Sequence, residues 1–210
     1  LSAIQQVLVN TYSVDFGNLN TLTKVETLTK NAIDALDAIK ANAAANTSTY
    51  DTTDTGLDAG TAGLDAADFA AMGVTGVTNS GTGSANNLAM VLSVLDSTAI
   101  TAAEVTTYEH VLAIVDSVNT ILTYVETGSA APKISDFTTL GLTDITTVDQ
   151  LTLMNSYLND SNTAVTDIDS YDELQARLTA VNHIRADAAI ADRSGIDAAV
   201  TAGDSYDTED

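Results

Sequence analysis

Apolar residues recur along this chain at the i, i+3, i+4 and i+7 spacing that gives an α-helix one buried face. Leu1, Ile4, Val7 and Leu8 follow it, as does the stretch 25–39, and then Leu88, Val91, Leu92 and Leu95. A longer helix is predicted from Val111, Val115, Val118 and Leu122. A second pair is predicted from Leu151, Met154 and Leu158 and from Leu174, Leu178, Val181 and Ile184. Residues 66–72 and 135–140 read as one- or two-turn helices halted by Gly73 and Gly141. Glycine suits the left-handed backbone just past a helix end. Ser135 is expected to cap its own short helix, and Thr146 or Thr147 the next helix along. Thr and Val runs favour strands by propensity, but the 3.6-residue period outweighs them, and the expected fold is all-α.

The pattern repeats. Asp68-Phe69, Met72-Gly73-Val74-Thr75 and Val77-Thr78 return 68 residues later as Asp136-Phe137, Leu140-Gly141-Leu142-Thr143 and Ile145-Thr146. From Asn87-Leu88 and Gln150-Leu151 onward the offset is 63, and it holds through Tyr108 and Tyr171, Val118 and Val181, and Asn119 and Asn182. The five-residue difference falls in the Gly-containing turn 79–83, where length changes cost little. Leu1, Ile4, Val7, Leu8 and Thr11 match Leu88, Val91, Val94, Leu95 and Thr98, a partial earlier copy. The expected organisation is therefore a truncated helical repeat over 1–50 and an Asp/Gly/Thr-rich linker over 51–63. Two fuller repeats come next, over 64–131 and 132–194, and then an acidic tail or the start of a next unit over 195–210. Each unit is expected to be a short helix plus two longer antiparallel helices, a tandem array of small helical bundles. Recurrent Phe69 and Phe137 should anchor the short helix, and Tyr108 and Tyr171 should pack across the pair with a polar edge toward water.

Composition adds a constraint. Among 210 residues, 29 acids oppose 7 bases, a net charge of −22, and 23 of the acids are Asp. Phosphate-backbone binding is excluded by that balance, so no nucleic-acid partner is expected. The absence of Cys excludes disulfides, thiol catalysis and Cys-ligated metals. No run of about 20 apolar residues is present, so no direct membrane insertion is expected. The chain starts at Leu1, which reads as a fragment or processed product whose export signal lies outside it. Carboxylate repulsion opposes compaction unless salt or a divalent cation screens it. Hard oxygen donors suit calcium.

Two Asp-rich loops are the candidates for that cation. Asp51, Asp54 and Asp58 can converge through the turn at Gly56, although their spacing departs from an EF-hand loop; the alternative is a solvated inter-repeat linker. Asp160 and Asn162 stand at alternate positions, and Asp167 falls where the preceding unit has Glu104. These residues are either calcium ligands or acids placed at helix starts, where free N–H groups favour negative charge. His110 and His183 are not equivalent, lack a second His at ligand spacing and are expected at the surface. With no nucleophile motif or phosphate loop either, no enzyme activity is expected.

The recurring Asp-Phe-x-x-Met/Leu-Gly-Val/Leu-Thr-x-Val/Ile-Thr, followed by Asn/Gln-Leu and a Tyr-Asp/Glu helix, resembles the helical tandem repeats of very large bacterial surface adhesins and biofilm-associated, RTX-type proteins. The resemblance covers almost the whole chain, except that the first unit lacks the opening motif. It implies an exported, extracellular, cell-surface protein, often calcium-dependent, whose modules act as extenders or spacers. The implied partners are neighbouring repeats of the same polypeptide. Self-association as a filament or surface-layer subunit, and a protein- or glycan-binding module, are the competing readings.

Overall fold

The structure is a computed structural model that describes residues 21–45 and 64–202, with side chains described through residue 186. Helix α1 spans Leu22–Ala45, α2 Ala66–Ala71, α3 Leu88–Leu95, α4 Tyr108–Thr127, α5 Ile134–Thr139, α6 Val148–Leu158 and α7 Tyr171–Ala202. Two single-turn 3₁₀ helices lie at Gly83–Ala85 and Val165–Asp167. Among the described residues there is no strand, only an isolated bridge between Asn79 and Asn86. The fold is all-α.

Local chemistry sets the helix ends. Thr107 and Thr147 accept the backbone N–H of His110 and Gln150, capping α4 and α6, so of the two threonines expected at α6 it is Thr147 that caps. The short helices also close an N3 side chain back onto the cap residue, as Gln150 does on Thr147, and in α2 Asp65 adds a side-chain cap to the Ala67 and Asp68 N–H groups. Asp68 and Asp136 accept the backbone N–H of Asp65 and Lys133, three residues upstream, at 3.1 and 2.7 Å. Ser135 therefore lies inside α5 and does not cap it, because Asp136 already reaches back over that turn. Both short helices stop at a glycine of positive φ, Gly73 at 86° and Gly141 at 80°. Gly141 is required twice over, since any side chain there would also collide with the Ala99 methyl.

The described helices interlock. Helix α4 packs against α3 before it and against α5 and α6 after it; α1 likewise lies on α2 and α3, and α7 on α6 and α3. One continuous apolar cluster runs from Ala35 and Ile39 of α1 to Leu174, Leu178 and Val181 of α7. Phe69 and Phe137 are fully buried at equivalent positions, and the connectors add Val77 and Ile145. Tyr108 and Tyr171 are half-buried against this cluster. The periodicity places Ile184 on the inner face of the last helix, yet it is 60% exposed. Its counterpart 63 residues earlier, Ile121, is fully buried in α4, which has α5 and α6 against it. Helix α7 has no described element in that place.

Candidate functional site

Among the described residues, a pair of buried amides stands at the two helix starts. Asn87 precedes α3 and is 2% exposed; Gln150 lies in the first turn of α6 and is 9% exposed. The Asn87 carbonyl oxygen accepts the Thr78 backbone N–H at 2.8 Å. Its Nδ2 donates to the Gly76 carbonyl and to Asn119 Oδ1 of α4. At the positions that correspond by the 68- and 63-residue offsets, Gln150 Oε1 accepts the Thr146 N–H at 3.0 Å. Gln150 Nε2 donates to the Asp144 carbonyl and to Asn182 Oδ1 of α7, both at 2.9 Å. Each amide thus ties connector, first helix and second helix together with every bond made in the same order. An unpaired amide at this depth would cost about 1–3 kcal/mol, which explains why a polar residue sits at a core position only with its partners. The sequence register aligns Asn87 with Gln150 and Asn119 with Asn182, but only three dimensions reveal that the second pair completes the first.

The acidic loop 159–169 uses its carboxylates on its own backbone. Asp160 Oδ1 accepts both the backbone N–H and the side-chain Nδ2 of Asn162, each at 2.8 Å. Those two bonds hold the exposed Asp160 carboxyl below its ordinary pKa. Asp167 Oδ2 accepts the Ala164 N–H at 2.8 Å, closing the 3₁₀ turn. Its counterpart Glu104 does the same for Thr101 at 2.7 Å. The recurrence of an acid at 104 and 167 therefore has a structural cause in each unit. Asp169, beside the start of α7, is pushed above its ordinary value, first by burial and then by a hydrogen bond and charge repulsion with Glu173. Burial similarly raises Asp116 and the phenols of Tyr108 and Tyr171, the phenols with added repulsion from nearby acids.

Three of the proposed calcium ligands, Asp160, Asn162 and Asp167, line one cleft of about 500 Å³ together with Tyr157, Arg177 and Ile184. Arg177 lies over the Tyr157 ring at 5.7 Å, so the cleft already contains a cation beside those acids. Asp51, Asp54 and Asp58 lie outside the described residues. Among the described residues no three His, Cys, Asp or Glu side chains converge as a metal-holding group. His110 and His183 are both exposed. His110 borders a second cleft, of about 520 Å³, where the loop after α3 meets α5, beside Glu104, Thr138 and Thr143. Among the described residues no helix is long and apolar enough to cross a membrane. No protein-family model matches the chain, and neither does any curated protein or solved structure.

Proposed function

We propose that this chain is a tandem array of small helical bundles serving as an extender or spacer segment of an extracellular bacterial surface protein, with calcium rigidifying its acidic junctions. The observation that carries the reading is the recurrence of one bonding scheme in two successive units: the same buried amide clamp, and the same acid closing the same turn. A shared core across those units supports it further, because α4 serves as the second helix of one unit and the docking wall of the next. Such a design transmits length and stiffness from unit to unit, and its acidic surface keeps neighbouring modules from collapsing together. Calcium would act by neutralising carboxylates of the Asp51–Asp54–Asp58 and Asp160–Asn162–Asp167 loops.

Small-angle scattering from the full chain, and from the chain with a second copy of residues 64–194 inserted after the first, tests the spacer. The maximum dimension is expected to rise by a fixed increment with the added copy; an unchanged dimension would refute a linear array. Calorimetric titration of the full chain with calcium tests the second part. Heat with defined stoichiometry and a Tm that climbs with calcium are expected. No heat and an unmoved Tm would remove calcium from the account.

A further inference from the structure

We infer that the outer face of α7 is a closed end of the helical stack, built to face water and to exclude a further short helix. The inference rests on the tandem reading above and compares two equivalent grooves. In the first unit, Ala99 and Ile114 line the place where α5 and its Gly141 turn come to rest, Leu122 lies two turns further along α4, and Gly141 sits so close to Ala99 that even a methyl would not fit. Ile114 and Leu122 are buried there. Sixty-three residues later the same three positions are Asn162, Arg177 and Arg185, all exposed.

Each change works against docking. Asn162 stands where the first unit has the Ala99 methyl against Gly141, a larger polar side chain held by its bond to Asp160. Arg177 leans over the Tyr157 ring and places a cation on the lining of the cleft that stays open there. Arg185 replaces a fully buried Leu122, and burying an unpaired guanidinium costs several kcal/mol. Ile184 keeps the apolar character of Ile121, and it stands 60% exposed. Stacked arrays need an end unit whose outer face is polar, and these substitutions supply one. A short helix following α7 is thereby denied the seat on this groove that α5 takes on α4.

The chain has no Trp, so one introduced Trp reports docking without background. The test extends the full chain at its C-terminus by a flexible tether and a second copy of residues 132–158 carrying the Phe137→Trp change in that copy alone. With α7 as it stands, Trp emission is expected to match that of the denatured chain. In the Asn162→Ala, Arg177→Ile, Arg185→Leu variant, emission is expected to shift to the blue as the added helix docks. Burial of the probe on the unaltered chain overturns the inference. Failure to dock on the triple variant overturns it too, since these three residues would then not be what closes the groove. A separate control places Phe137→Trp at its native position, where it must be buried. Solvent-exposed emission there would sink the tandem reading itself, whatever the state of the α7 face.

Discussion

At the scale of single residues, the two buried amides define how each unit is held. Asn87 and Gln150 differ by a methylene, and the backbone around each adjusts so that the same groups are bonded: a Thr N–H, a connector carbonyl and an Asn side chain of the second helix. The interaction is short-range, buried and without net charge, so salt does not weaken it as it would an exposed ion pair. Gln150→Ala leaves the Asp144 carbonyl and Asn182 Oδ1 without this donor and opens a small void. The expected loss is about 1–3 kcal/mol, read as a lower urea midpoint with an unchanged slope. Asn182→Ala in the same background should cost much less than it does alone, since the two residues act through one bond. Full additivity of the two losses would contradict the clamp.

At the scale of elements, each short helix with its glycine turn is a wedge between the long helices before and after it. Gly141→Ala should be severe for two reasons that add: an L side chain at φ 80° is strained by roughly 1–2 kcal/mol, and its methyl meets Ala99. Pairing it with Ala99→Gly should recover the collision part but not the conformational part, which a four-member set of urea melts separates. No recovery would mean that the collision contributes nothing. The wedge was legible in sequence because Phe137, Leu140, Gly141 and Ile145 keep both character and spacing relative to Phe69, Met72, Gly73 and Val77. A threonine cap at 146 or 147 and the burial of Leu88, Val91, Val115 and Leu178 follow from local pattern in the same way, while the choice of Thr147 needed the structure. The exposure of Ile184 does not, because a helical period records which side of α7 is apolar and cannot say whether anything lies against it. Nor can spacing distinguish an acid that binds a cation from one that closes a turn. At Asp160 and Asp167 the decisive facts are the positions of the Asn162 and Ala164 N–H groups, which depend on loop backbone angles that no periodicity encodes.

At the scale of the whole molecule, the balance lies between one continuous core and a charge of −22. The core should make the described helices unfold together, so none of them can relieve repulsion by opening alone. The carboxyls of Asp116 and Asp169 are raised in the folded state, which means that folding favours their protonated forms. Their contribution is greatest below the unfolded value of about 3.9 and is lost as pH rises through the folded values. Asp160 shifts the other way, and the stability it contributes is lost as pH falls through its lowered value. As pH falls from 7 toward the ordinary carboxylate range the raised groups bind protons ahead of unperturbed carboxyls while Asp160 stays ionised, and the overall repulsion also relaxes. The Tm is therefore expected to rise as pH is brought down from 7 toward about 4.5, and to fall again only at more acid pH. Sodium chloride at pH 7 should reproduce part of the rise by screening the same charges without protonating them. Asp169→Asn should raise the Tm at pH 7 and flatten the acid-side gain. A Tm that declines steadily from pH 7 and ignores salt would show that carboxylate repulsion does not set the stability of this fold.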